Sequence, residues 1–151
     1  MKNEKSLELY LNEIKKAKLR LTNQRIEIVK CLMKHDNWHT IDDIVEHLSI
    51  EKRKKPNIAS IYNVLHSLIQ CGIVNAFLNT RTFKPFFNLR HKNHEHVYCF
   101  SFKNSKFITL SFNEKLHKNI KDFFKENNIF VNDFYIVATG MVKEDGKKCE
   151  K

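Results

Sequence analysis

Two histidines one residue apart, His94 and His96, are the first residues whose type and spacing suggest chemistry. On an extended strand side chains alternate between faces, so these two imidazoles share a face and Glu95 points the other way. His39 lies far upstream, at a helix start. If it joins His94 and His96, one ion is held by both halves of the chain. Three imidazoles suit Zn, Ni, Cu or Fe(II), and Zn is the commonest occupant of a tetrahedral site. An H-x-H pair also occurs as ordinary surface sequence, and the stretch RHKNHEH at residues 90–96 is polar. His91 reads as such a bystander, and His35, His47 and His66 read as helix-surface residues. A second group suggests contact with a polyanion. Ser60, Tyr62, Asn63, His66 and Ser67 interleave with the apolar positions of one helical stretch. Asn can pair bidentately with adenine and Ser can serve several bases. Arg20, Arg25, Lys54, Lys55 and the turn residue Arg81 are candidate phosphate contacts.

The elements that must position these residues follow from periodicity. Leu7, Tyr10, Leu11 and Ile14 have helical spacing. Thr22 is suited to cap a second helix carrying Ile26, Val29, Leu32 and Met33, closed by Asp36-Asn37. Thr40 and Asp43 form a capping box, with Asp in place of the usual Glu, ahead of Ile41, Ile44, Val45 and Leu48. The basic loop EKRKK and Pro56 precede a fourth helix with Ile58, Ile61, Leu65, Leu68 and Ile69 on one stripe, stopped by Gly72. Strands are expected at residues 73–78 and 82–89 around a turn at 79–81. Three helices and a hairpin in this order form a winged helix-turn-helix, with the helix before the hairpin as the reading helix. Beyond residue 90, strands at 97–102 and 106–112, an Asn113-capped helix with Leu116, Ile120, Phe123 and Phe124, and a strand at 129–138 make a small β-β-α-β unit. It is too small to bury its Phe and Ile alone, which suggests a homodimer. The fold class is therefore α+β: a winged-helix domain at 1–89, an α/β dimerisation and metal-binding domain at 90–142, and a charged tail at 143–151.

Composition narrows the partners. Lys plus Arg number 27 against 17 Asp plus Glu, a formal charge of +10, which favours DNA, RNA or an acidic membrane face. A Lys-rich soluble surface is the plainer reading. Hydrophobic residues make up 42% of the chain, enough for a core and against disorder. Among Cys31, Cys71, Cys99 and Cys149 no C-x-x-C pair occurs, and Cys31 and Cys71 read as core thiols. With no signal peptide and no membrane-length apolar run, a reducing cytoplasm is expected.

Four segments then carry a resemblance. LRLTNQRIEIVKCL, WHTIDDIVEHL, NIASIYNVLHSLIQCGIV and NHEHVYC resemble, in order and spacing over residues 10 to 140, motifs of the ferric uptake regulator family. The resemblance implies a homodimeric winged-helix repressor on a pseudo-palindromic operator of double-stranded DNA, tuned by a divalent transition metal. It places His39, His94 and His96 on regulatory ligand positions and Glu95 on an acidic position that serves a second metal site in some members. Tyr62 falls on the reading-helix tyrosine and Arg25 on the arginine of T-x-x-R. The chain departs from the pattern at Asn88, Thr109 and Phe134, where the family usually has ligands, and at Asn63, where it has Arg. Phe102 stands where the C-x-x-C partner of Cys99 should be and Cys149 stands alone, so no structural four-cysteine zinc site is expected. Fewer anionic oxygens bias the remaining site toward Zn, Ni or Cu over Fe.

Three other functions stay in view. One is a winged-helix regulator whose metal control has decayed. Another is a three-histidine metalloenzyme with Glu95 or Asp43 as base, opposed by the scarcity of glycine loops and of any nucleophile motif. The third is a metal-buffering protein without DNA binding. An organic cofactor and a membrane partner are not expected.

Overall fold

Short polar side chains open the helices, because the first N–H groups of a helix have no intrahelical acceptor. A computed structural model of the chain describes residues 2–34, 37–90, 96–111, 113–131 and 134–141, with residues 2–4 and 96 described through their backbone alone. It divides into two compact units, Met1–Arg90 and His91–Lys151.

The first unit runs α1 (Lys2–Lys16), α2 (Asn23–Met33), β1 (His39–Thr40), α3 (Ile41–Lys52), α4 (Ile58–Gln70), β2 (Val74–Asn79) and β3 (Lys84–Leu89). Thr22 caps α2 by accepting from Arg25 N, and Asn57 caps α4 by accepting from Ser60 N. Thr40 and Asp43 form the reciprocal box at α3 that their spacing predicts. Ile14 of α1, Ile28 and Val29 of α2, Ile44 and Leu48 of α3, and Ile61, Leu65 and Leu68 of α4 close one core. Val74, Phe87 and Leu89 of the sheet join it from below. The apolar stripes recur at three and four residues, so each helix contributes one face to that core. α4 ends where Gly72 turns left-handed at φ 69. There Gly72 N donates to Ile69 O and Ile73 N to Leu68 O, which satisfies two terminal carbonyls and turns the chain into β2.

The sheet order is β1-β3-β2, all antiparallel. β2 and β3 form the wing-like hairpin expected after α4. The two-residue strand β1 was not expected. It pairs His39 with Phe87 and Thr40 with Phe86. The second hairpin strand starts at Lys84, two residues later than expected, because Phe83 takes a left-handed turn conformation.

The second unit runs β4 (His96–Ser101), β5 (Lys106–Ser111), α5 (Glu114–Glu126) and β6 (Ile136–Gly140). β4 is central, antiparallel to β5 and parallel to β6, with α5 in the connection that a parallel pair requires. Phe100 is fully buried against Phe102 and Phe107. Asn113 caps α5 as predicted. α5 buries no residue, and Leu116 and Phe123 stay exposed in the isolated chain. The last strand is shorter than the expected 129–138. Among the described residues β4 pairs with Ile136–Gly140, and Phe130 is 90% exposed. Residues 142–151, with the tail and Cys149, lie outside the described residues, as do His35, Asp36, His91 and Phe112.

Two burial expectations are corrected. Cys71 is exposed, because it is the C-cap of α4 and lies past the last packed turn. His47 is not a helix-surface residue. It shares the inner face of α3 with Ile44 and Leu48 and is 8% exposed.

Candidate nucleic-acid interface and metal-ligand residues

α4 divides cleanly by face. Ile61, Val64, Leu65 and Leu68 are buried, while Tyr62, Asn63 and His66 face outward, with Tyr62 42% exposed. An exposed tyrosine beside an exposed asparagine supplies a ring for apolar or stacking contact and an amide with both donor and acceptor. Ser60 and Ser67 are half-buried and partly engaged, not fully exposed as their spacing suggested. Ser60 Oγ donates to Gln24 Oε1 at 2.7 Å, and Ser67 Oγ donates to Val64 O at 2.7 Å. Lys54 and Lys55 are exposed in the loop that leads to the N-terminus of α4, and Arg20 is exposed just before α2. A helix N-terminus carries partial positive charge, so these lysines and the helix end act with the same sign on an anion.

Arg25 is placed differently from the other cations. One terminal nitrogen donates to the Arg20 carbonyl and the other to Ser67 Oγ at 3.3 Å, while its Nε is buried without a hydrogen bond. The guanidinium thus links the start of α2 to the outer side of α4. Neither Gln24 nor Ser67 could be recognised from sequence as a partner, since both contacts join residues more than thirty positions apart.

Of the expected metal ligands, His39 is the one whose side chain is described. It is 8% exposed and sits in β1, immediately before the α3 cap. Thr40 N donates to Asp43 Oδ2 at 2.7 Å, so the backbone next to His39 is fixed. Beside its strand partner Phe87 lies Asn88, also buried, whose Oδ1 makes no hydrogen bond. A buried amide oxygen left unsatisfied costs free energy unless something polar meets it. His39 pairs with Phe87 and shares its face of the sheet, while Asn88, one residue on, points to the other face, so the imidazole is a nitrogen donor suited to a divalent cation but Asn88 is not placed beside it. His94 and Glu95 lie outside the described residues, and His96 enters as the backbone start of β4. Thr109 is exposed on β5 opposite Tyr98. Asp43 is committed elsewhere: its Oδ2 accepts from both Thr40 N and Thr40 Oγ1. A carboxylate held as a helix cap is poorly placed to act as a general base.

Comparison with known proteins agrees with this architecture. The Ferric uptake regulator family matches residues 16–137. An uncharacterized protein of Mycoplasma pneumoniae is 35% identical over 146 residues, covering 93% of this chain and 89% of its own. Among solved structures, the ferric uptake regulator from Pseudomonas aeruginosa with manganese is similar at a TM-score of 0.68 and 21% identity, covering 88% of this chain and 97% of that one. A zinc uptake regulator complexed with zinc and DNA is similar at a TM-score of 0.64 and 16% identity, covering 94% and 93%. At such identities the solved structures speak for the fold. The family match spans both compact units, and the chain belongs to the ferric uptake regulator family, whose members are DNA-binding metalloregulators and not enzymes.

Proposed function

We propose that this chain is a cytoplasmic, metal-responsive transcriptional repressor that acts as a homodimer on a pseudo-palindromic DNA operator. The observation that carries the reading is the outward face of α4, where Tyr62 and Asn63 stand exposed beside the exposed Lys54 and Lys55. In a chain of formal charge +10 this face matches the electrostatics of a duplex. Tyr62, Asn63 and Ser60 contact base edges. Arg20, Lys54 and Lys55 hold phosphates. Arg25 joins them at the edge of α4 while its link to Ser67 ties the start of α2 to that helix. The exposed Leu116 and Phe123 of α5 support burial against a second copy.

The metal reading takes His39, His94, His96 and Glu95 as ligand residues, the positions the family resemblance marks. Zn suits this donor set best, with Ni, Cu or Fe as other occupants. A bound cation favours DNA binding only through its higher affinity for the DNA-competent arrangement. The test is metal analysis of the purified chain beside His96→Ala, with DNA binding measured on Asn63→Ala. The reading expects His96→Ala to lose about one equivalent of metal with the fold intact. It expects Asn63→Ala to lose operator preference while keeping non-specific affinity. Unchanged metal content together with unchanged operator preference overturns it.

A further inference from the structure

Glu27, His47 and Glu51 bring three ligand atoms within 4.8 Å of one another between α2 and α3. This cluster shares no residue with the His39 region. His47 and Glu51 are four apart on α3, so they lie on one helix face one turn from each other. Glu27 enters from α2. His47 is more than nine-tenths buried, and its Nε2 is buried without a hydrogen bond, 3.5 Å from Glu27 Oε2. That separation is long for a hydrogen bond. It is close to the edge of a tetrahedron, about 3.4 Å, around an ion with metal–ligand bonds of about 2.1 Å. The two oxygens of Glu27 are already divided in role: Oε1 takes the Lys30 ammonium at 2.7 Å, and Oε2 faces the imidazole.

The geometry points to a second divalent-cation site formed by Glu27 Oε2, His47 Nε2 and a Glu51 carboxylate oxygen, with water in the fourth position. One nitrogen and two carboxylate oxygens suit Zn(II) and, next, Co(II) or Ni(II). Glu51 is exposed in the last turn of α3 and free to close onto the ion. Cys31 is one turn from Glu27 on α2, but its thiol is directed to the Asp43 carbonyl at 3.9 Å and is not part of the ligand group.

Lys34 makes the site conditional. Its ammonium lies 3.1 Å from His47 Nδ1. An ammonium can only donate, so in this state Nδ1 is the acceptor and the proton of a neutral ring is on Nε2. Binding an ion at Nε2 requires that proton to leave Nε2 and Lys34 to give way. Lys34 is exposed at the end of α2, which lets it swing into solvent. Lysine and cation therefore compete for one imidazole. Occupancy would tie α2 to α3, two of the helices that support α4.

The test is a Co(II) titration of the full chain carrying His94→Ala and His96→Ala, read by visible absorbance, with Zn(II) calorimetry alongside. One equivalent of Co(II) is expected to bind. Glu51→Gln, a change at an exposed position, should weaken it about tenfold or more. His47→Gln should abolish it, and Lys34→Met should tighten it. The unmodified chain should show the same Glu51-sensitive equivalent in addition to any lost in His96→Ala. No Co(II) binding in the doubly substituted chain, or binding indifferent to Glu51→Gln and Lys34→Met, overturns the site and leaves the His39 reading untouched.

Discussion

Replacing Thr40 with Ala removes the cap of α3 at the residue that follows His39. In the structure Thr40 Oγ1 accepts from Asp43 N at 3.3 Å and donates to Asp43 Oδ2 at 2.8 Å, while Thr40 N donates to the same carboxylate oxygen at 2.7 Å. Alanine deletes the first two contacts and spares the third. All three lie at the surface, where water replaces part of what is lost, so the cost falls in the middle of the range for N-caps, about 1 kcal/mol. Asp43→Ala removes the reciprocal bond and a negative charge at a helix N-terminus, again about 1 kcal/mol. Each half of the box holds the other in place. The double variant should therefore cost less than the sum, with a coupling of about 0.5 kcal/mol or more. Urea unfolding followed by tryptophan fluorescence reads this directly, because Trp38 is the single tryptophan of the chain, buried two residues before the cap. For a unit of this size, 1 kcal/mol corresponds to a Tm change of about 4–8 °C. A Thr40→Ala protein within a few tenths of a kcal/mol of the parent, or strictly additive single changes, refutes the reciprocal box.

Further outcomes follow from other contacts. Gly72→Ala should destabilise the first unit by about 1 kcal/mol, since φ is +69, while the Arg90 Nη1 that a Cβ would meet at 2.7 Å is the movable end of its side chain; Gly72→Asn should cost less in a urea melt, because Asn tolerates the left-handed region. Burial raises the Glu27 carboxyl, but the Lys30 hydrogen bond and the charges of Lys30 and His47 outweigh it and hold the group below its ordinary value of 4.5. Its stabilising contribution is therefore complete above that value and is lost as pH falls through the lowered one; Glu27→Gln should flatten the acid limb of stability against pH below about 4.5 and leave its shape at neutral pH unchanged. Lys54→Ala and Lys55→Ala should each reduce the slope of log affinity for DNA against log salt by about 0.9 if each holds one phosphate, a quantity read by anisotropy across a salt series.

Local chemistry was legible where the deciding contact is local. Thr22, Thr40 with Asp43, Asn113 and Gly72 each act within a few residues, and each terminates or begins the helix its spacing predicts. Contacts between distant segments were not. β1 has two residues, too few to show alternation, and exists because β3 lies beside it. His47 looks like a polar interruption in a helix, yet its register with Ile44 and Leu48 turns it inward, where Glu27 of another helix meets it. The run from Ile129 reads as one long strand, but the residues that pair with β4 are Ile136–Gly140, a register fixed by a partner more than thirty residues away. Arg25 reads as a phosphate contact by type and position. Its links to the Arg20 carbonyl and Ser67 depend on how α2 and α4 pack, which no local pattern encodes. The proposed metal-ligand residues rest mainly on the resemblance, because an H-x-H pair in a polar segment is ambiguous by itself.

The central claim is that the face of α4 reads DNA under metal control. Its most direct test is fluorescence anisotropy of the purified chain with DNA selected from genomic fragments, at one fixed salt concentration, with Zn(II) and with a chelator. The account predicts tight, sequence-selective binding with Zn(II), weaker binding in chelator, and loss of selectivity in Tyr62→Ala with Asn63→Ala. Equal affinity for selected and random DNA, with or without Zn(II), would contradict it.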